Sequence, residues 1–190
     1  MFRTTILAAS LLLATGTVQA VEAPPGMRSF VETEVMSWAQ SQQVITAILA
    51  QNTQTGSATQ AQIDAWDLAW RGEVGQAEQP LIQQVMTTPL SAFLHQQVLE
   101  SGGRITEVFV MDARGLNVAA SGITSDYWQG DEDKYSKSFG AGAGAIFVDE
   151  VEFDESSQSY QGQVSIALTD PATGEVVGAM TVGLNAEAFF

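Results

Sequence analysis

Ile105-Thr-Glu-Val-Phe-Val-Met-Asp-Ala-Arg-Gly-Leu-Asn-Val-Ala-Ala-Ser121 is the stretch on which the fold turns. Ile105 to Met111 is rich in β-branched and aromatic side chains, which suit a pleated, half-buried surface. Asp112-Ala-Arg-Gly115 then supplies turn formers, and Leu116 to Ser121 runs back, so the segment reads as a β-hairpin. It also marks a switch in period. Upstream the apolar residues recur at helical spacing; downstream they fall in short β-rich runs separated by turns.

Working upstream, the residues around Pro24-Pro25-Gly26 read as a linker over 21–28. Val31, Val35, Trp38, Ile45 and Ile48 then recur at spacings of three, four and seven, one stripe of a long helix. Ser29 with Glu32 predicts a capping-box start for it, and Gly56 a stop. Thr59 with Gln62 repeats the start signal for a helix carrying Ile63, Trp66, Leu68 and Trp70. A shorter helix is expected over Gln79 to Met86, with Pro80 in its first turn. Thr88-Pro89 opens a fourth, which Gly102-Gly103 closes. Trp38, Trp66 and Trp70 are assigned to the core.

Downstream, a polar, aromatic and acidic excursion from Thr124 to Phe139 interrupts the sheet. Strands resume at Ile146 to Phe153, Gln163 to Thr169 and Glu175 to Leu184, joined by turn-forming segments at 154–159 and 170–174. Gly140-Ala-Gly-Ala-Gly144 precedes a strand rather than a helix, so it reads as a hinge or tight bend and not as a phosphate cradle. Four helices followed by five mainly antiparallel strands make an α+β domain with helices packed on the sheet. The domain is placed at 29–190, helical over 29–103 and sheet over 104–190.

The first residues predict an export signal over 1–20. Met1-Phe2-Arg3 is a short basic start, Ile6 to Ala14 is mostly apolar, and Val18 and Ala20 fit the small positions before a cleavage site. The apolar run is roughly half of the ~20 residues needed to span a bilayer. Cleavage after Ala20 would leave about 170 residues in the periplasm, enough for one domain with a sizeable core. Cysteine is absent, which excludes a lipidated cysteine, thiolate zinc sites and thiol catalysis. With 22 acidic against 7 basic residues the net charge is −15, a surface that repels nucleic acid and anionic lipid.

The sequence offers little for catalysis and reads as a protein that is not an enzyme and carries no cofactor. His95 is the only histidine and lies mid-helix, and no nucleophile elbow, zinc-protease helix or P-loop is present. Asp126, Asp131, Glu132 and Asp133 lack the alternating spacing of a calcium loop, and Lys134 adjoins them, so they read as a solvated loop. Glu150, Glu152, Asp154 and Glu155 suit the outer face of an edge strand. The more informative cluster is Ser125-Asp126-Tyr127-Trp128-Gln129. Asp126 is suited to an ammonium group, with Tyr127 and Trp128 as cation–π faces, and Lys134, Tyr135 and Lys137 are suited to a carboxylate. The same residues equally allow Tyr127 and Trp128 to pin the loop to the sheet.

The run Val108 to Ser121, the following Thr124-Ser-Asp-Tyr-Trp-Gln-Gly-Asp-Glu132, and the ending Ser165-Ile-Ala-Leu-Thr-Asp-Pro-Ala-Thr-Gly-Glu-Val-Val-Gly-Ala-Met-Thr-Val-Gly183 resemble Cache domains. These are PAS-like extracytoplasmic sensors, also called PDC sensors. The resemblance implies a single Cache domain: a five-stranded antiparallel sheet, helices on one face and a small-molecule pocket on the other. The excursion after the second strand would roof that pocket. Asp126, Tyr127, Trp128, Lys134 and Tyr135 would lie in the roof and Asp170 near the floor. Amines, amino acids and carboxylates are the ligands implied, although the arginine-containing amino-acid signature of some members is not visible in this excursion. A membrane-bound receptor or kinase would be the signalling partner, and a homodimer would form through the long N-terminal helix. The sequence is thus read as a free-standing periplasmic small-molecule sensor. The alternative is a cation-binding or structural acidic envelope protein without a small-molecule pocket.

Overall fold

The computed structural model describes residues 22–154 and 159–190; the expected export leader with its cleavage site, Glu155 and most of the turn expected at 154–159 lie outside the described residues. The opening hairpin is present as strands β1 (Ile105–Asp112) and β2 (Asn117–Ala120), with Phe109 opposite Ala120. The remaining strands are β3 (Ile146–Val148), β4 (Glu152–Asp154), β5 (Ser159–Thr169) and β6 (Val176–Asn185). All pairings are antiparallel, in the order β2-β1-β6-β5-β3, with β4 also on β5. The α+β class is as expected, and the strands occupy five positions across the sheet.

The expected strand from Ile146 to Phe153 is broken in two. Val148 faces Val164 but Glu152 faces Gln161, so the register slips by one residue, and the Asp149 amide donates to the Gln163 carbonyl at 2.8 Å. A bulge of this kind at a sheet edge bends the strand and spoils it as a template for further pairing. The exposed Glu150 and Glu152 act in the same direction.

The N-terminal helix departs from expectation at both ends. Helix α1 (Pro25–Phe30) begins four residues before Ser29, inside the segment read as a linker. Pro25 sits in the first turn, where its fixed φ favours a helix and its missing N–H costs nothing. Met27 and Phe30 give that turn an apolar face to bury. Ser29 is therefore mid-helix, and Glu32 pairs with Arg28 at 2.9 Å instead of closing a capping box. A π-helical turn, Val31–Val35, leads into α2 (Met36–Ala39), and the chain then breaks at Gln40 and Ser41 before α3 (Gln42–Thr55). Thr169 donates its amide to Gln40 Oε1 at 3.3 Å, which ties the break to β5. One long helix is thus a broken pair.

The other helices match more closely. Helix α4 (Gln60–Glu73) carries the full reciprocal capping box of Thr59 and Gln62. Helices α5 (Pro80–Met86) and α6 (Pro89–Glu100) each open on proline, and Thr88 caps α6 by accepting from the Ser91 amide. Within α4 the inward stripe is Ile63, Asp67 and Trp70, whereas Leu68 is 68% exposed. The four-then-three spacing places an aspartate on the buried face, and that position organises the candidate site.

The main core lies on one face of the sheet. Val108 and Val110 of β1, Val164, Ile166 and Leu168 of β5, and Met180, Val182 and Leu184 of β6 pack against Val31, Val35, Val44, Ile45, Ile48 and Leu94. Each such side chain contributes roughly 1.5–3 kcal/mol by leaving water. The opposite face presents Phe109, Met111, Ala120 and Ala179 and is covered by the excursion, through Tyr135 and Phe139. The excursion contains a one-turn helix α7 (Asp133–Ser136) and a 3-10 turn at Phe139–Ala141. Gly142 and Gly144 follow with φ of 97° and 77°, the tight bend expected there. Among the described residues no helix is long and apolar enough to cross a membrane.

Candidate functional site

Two buried carboxylates hold the loops together. Asp112, at the end of β1, is fully buried. Its Oδ1 accepts from the amides of Arg114 and Leu116 at 2.7 and 3.0 Å, closing the hairpin turn. Its Oδ2 accepts from Thr55 Oγ1 at 2.7 Å and Gln51 Nε2 at 3.0 Å, fastening the turn to α3. Asp67 of α4 does the same for the excursion. Its Oδ1 accepts from the amides of Tyr127 and Trp128 at 3.0 and 3.1 Å, and its Oδ2 meets Arg71 at 2.6 Å.

These anchors separate the residues expected to form one site. Tyr127 is buried, stacked on Trp70 at 5.4 Å and 16°. Burial, aided by the nearby Asp112 charge, pushes its phenol up to about 12. Trp128 donates its indole N–H to the Arg114 carbonyl at 2.8 Å and lies across the hairpin turn. Gly115 and Gly130 are small there for a reason: a Cβ on Gly115 would stand 2.7 Å from Gly130 Cα, and one on Gly130 would strike the Trp128 ring. Asp126 shares an acidic notch of about 380 Å³ with Asp64, Asp67, Asp131 and Glu132, which Arg71 partly offsets at 3.8 Å from Asp126. Among the described residues no group of three or more His, Cys, Asp or Glu is arranged to hold a metal ion.

Lys134 and Tyr135 lie on the other side of the sheet. Lys134 is largely buried, over the Phe109 ring at 5.5 Å and paired with Glu132 at 2.9 Å. Tyr135 stacks on Phe139 at 4.9 Å and donates its hydroxyl to the Ala113 carbonyl at 2.9 Å. Burial raises its phenol well above the ordinary range, with Asp112 adding to the effect. Beneath them Ser165 and Thr181 hydrogen-bond to each other at 2.9 Å. Lys137 faces outward, paired with Asp133 at 2.7 Å. Asp170 lies between β5 and β6. It caps the β5–β6 turn by accepting from the Ala172 amide and the Thr173 hydroxyl. His95 is exposed on α6, with Nδ1 3.2 Å from the Ser121 carbonyl.

A larger concavity than the acidic notch lies elsewhere, and of the expected residues only Tyr127 reaches it. A cleft of about 970 Å³ opens between α3 and the α5–α6 corner, with Trp66 of α4 at its side and Val118 and Tyr127 at its base. Its α3 wall is two adjacent rows at helical spacing, Gln42-Thr46-Ala50-Gln54 and Gln43-Ala47-Gln51-Thr55. Leu81, Gln84, Val85, Thr88, Pro89 and Leu90 form the facing wall. Gln43 Nε2 donates to the Pro89 carbonyl at 3.3 Å, one polar link between the two walls. None of these lining side chains carries a charge at neutral pH. A signal for this wall was present in the sequence: the fourteen residues of α3 include no charged one, in a chain with 15% charged residues.

No protein-family model and no curated protein matches the chain. Solved structures similar to it include sensor and ligand-binding domains. The sensor domain of the Vibrio cholerae histidine kinase DctB is 12% identical with a TM-score of 0.47, over 86% of this chain and 53% of that one. The ligand-binding domain of the Campylobacter jejuni chemoreceptor Tlp3, in complex with 4-methylisoleucine, is 15% identical with a TM-score of 0.42, over 85% and 64%. That of the Pseudomonas aeruginosa amino-acid chemoreceptor PctC, in complex with GABA, is 14% identical with a TM-score of 0.42, over 76% and 58%. The chain thus spans between about half and two thirds of the length of these chains.

Proposed function

We propose that this chain is a periplasmic small-molecule sensor module, occupied in the cleft between α3 and the α5–α6 corner and read out by a separate membrane protein. The observation that carries this reading is the cleft itself. Its volume of about 970 Å³ lies at the upper end of the ~300–1,000 Å³ usual for ligand sites, and it joins an apolar, aromatic base to a few hydrogen-bonding side chains. Tyr127 is kept from the six expected positions as a ligand contact. Asp126, Trp128, Lys134, Tyr135 and Asp170 are assigned instead to holding the excursion and the β5–β6 turn in place.

The readout follows from what the cleft connects. A ligand bridging α3 and α5 would tighten two walls that share little direct bonding, and α3 continues through the Gln40 break to α2 and α1. Occupancy would therefore bias the angle at that break. It can do so only by the difference in its affinity for the two arrangements. No catalytic step is proposed.

The test is a melting-temperature screen of small molecules on the wild-type chain and on Ala50→Phe, which fills the cleft from an exposed helical position. A ligand present at 100 times its Kd stabilises by about 2.7 kcal/mol, which raises the Tm of a domain this size by roughly 5–10 °C. The reading requires such a rise in the wild type and its loss in Ala50→Phe. A screen that raises the Tm of neither protein, or of both equally, overturns it.

A further inference from the structure

We infer that the molecule this cleft selects is uncharged, with an apolar body and hydrogen-bonding oxygens or amides at its edge. The inference rests on the cleft being the ligand site, and it departs from the ammonium or carboxylate suggested by Asp126 and Lys134.

The first observation is an absence of partners for charge. Among the described residues no lysine, arginine, histidine or carboxylate lines the cleft. An anion entering it would exchange its hydration for neutral amides and hydroxyls, with no cation to balance it. Behind the wall Asp112 is bonded to the lining residues Gln51 and Thr55, and both its oxygens are already taken by four donors. It therefore repels an anion without offering a free acceptor to an ammonium. Tyr127 could present a cation with only one ring face, since the other is stacked on Trp70. Removing a charge from water without such a partner is strongly unfavourable, whereas a neutral group hydrogen-bonded to an amide loses little.

The second observation is that the neutral polar groups are free. Gln42, Thr46 and Gln54 on α3 and Gln84 on α5 line the cleft, and none makes a side-chain hydrogen bond among the described residues. Gln51, Thr55 and Thr88, by contrast, are committed to Asp112 and to the α6 cap. The uncommitted groups stand on both walls, above a base of Val118 and Tyr127 with Trp66 at its side. An apolar body on that base, with polar atoms at its rim, satisfies both surfaces at once.

Three probes of nearly the same shape decide the matter: phenylacetamide, phenylacetate and phenethylamine, titrated at neutral pH into the full chain and followed by tryptophan fluorescence. The expected result is that phenylacetamide binds at least tenfold more tightly than either charged probe. Its affinity should fall at least tenfold in Ala50→Phe and several-fold in the double variant Gln54→Ala, Gln84→Ala. If phenylacetate or phenethylamine binds as tightly as the amide and is lost in Ala50→Phe, the charge selectivity is overturned while the cleft stands as the site. If the amide binds equally to wild type and Ala50→Phe, the cleft itself is refuted. Failure of all three probes on the wild type overturns the selectivity inference, with the cleft then judged by the broader melting screen.

Discussion

Replacing Asp67 with alanine should unfasten the excursion from α4, and the structure sets the scale of the loss. Asp67 Oδ1 receives two backbone amides, those of Tyr127 and Trp128, and its side chain is only 9% exposed. Hydrogen bonds to a charged acceptor contribute ~1.5–3 kcal/mol each, and an unpaired buried amide loses most of that. Trp128 is only half-buried, so water recovers part of its share, and the expected cost is about 3–4 kcal/mol. That is a large fraction of the ~5–15 kcal/mol that a domain of this kind has in total. Asparagine keeps the Oδ1 acceptor and loses only the charge, so Asp67→Asn should cost about 1–2 kcal/mol. Arg71 contributes through a guanidinium that is 55% exposed, and Arg71→Ala should cost at most ~1 kcal/mol. Urea denaturation followed by far-ultraviolet circular dichroism measures all three. The near-ultraviolet signal of the Trp70–Tyr127 stack should weaken in Asp67→Ala and persist in Asp67→Asn. If asparagine proves as costly as alanine, or Arg71→Ala as costly as either, then the ion pair, and not the pair of backbone bonds, is what fastens the excursion to α4.

Alkaline titration should show Tyr127 and Tyr135 ionising late by tyrosinate absorbance. Because the folded state holds the Tyr127 phenol up to about 12 against an ordinary 10.0, the folded state binds the proton more tightly than the unfolded one. Its contribution, at most ~3 kcal/mol, is therefore complete below pH ~10 and is lost as the pH rises toward ~12; Tyr127→Phe should flatten that part of the stability curve, and an unchanged slope would contradict the assignment. Gly178→Ala should lower stability by ~1–3 kcal/mol or more, because its Cβ would strike the Met111 carbonyl and stand 3.0 Å from Ile48 Cγ2, between β6, β1 and α3. Gly72→Ala, with open space around it on α4, should instead gain ~0.5–1 kcal/mol; equal effects of the two changes would refute this steric reading.

Much of the fold was legible because local chemistry and tertiary packing agree. Thr59-Gln62 and Thr88-Pro89 start helices in the structure as they do on paper, since side chain and backbone satisfy each other within one turn. The hairpin at Asp112–Gly115 was equally local. The misreadings are places where a distant partner decides. Ser29 and Glu32 have the spacing of a capping box, yet Pro25 starts the helix earlier and gives Met27 and Phe30 a surface to bury. The break at Gln40 depends on β5, more than 100 residues away. The slip between Val148 and Glu152 shows only in the pairing of both pieces with β5, which lies later in the chain.

The site was less legible, for a related reason. Asp126, Tyr127, Trp128, Lys134 and Tyr135 are close in sequence and chemically conspicuous, so they read as one constellation. In an excursion that crosses the edge of a sheet, however, neighbours are sent to different compartments. Asp67 draws the Tyr127 and Trp128 amides to α4, while Lys134 and Tyr135 turn back over Phe109 and Phe139. Conspicuous residues were also the ones with structural partners to find, and each found them. The cleft is lined by the inconspicuous ones: glutamines, threonines and alanines, brought together from α3, α5 and the start of α6. What the sequence did hold was a negative signal. A strongly acidic chain keeps α3 and α5 wholly free of charge, and a helix face that has no charge in such a chain needs a reason. Burial accounts for Val44, Ile45 and Ile48 of α3, but Gln42, Thr46 and Gln54 are exposed. The neutral ligand proposed for this cleft would account for those as well.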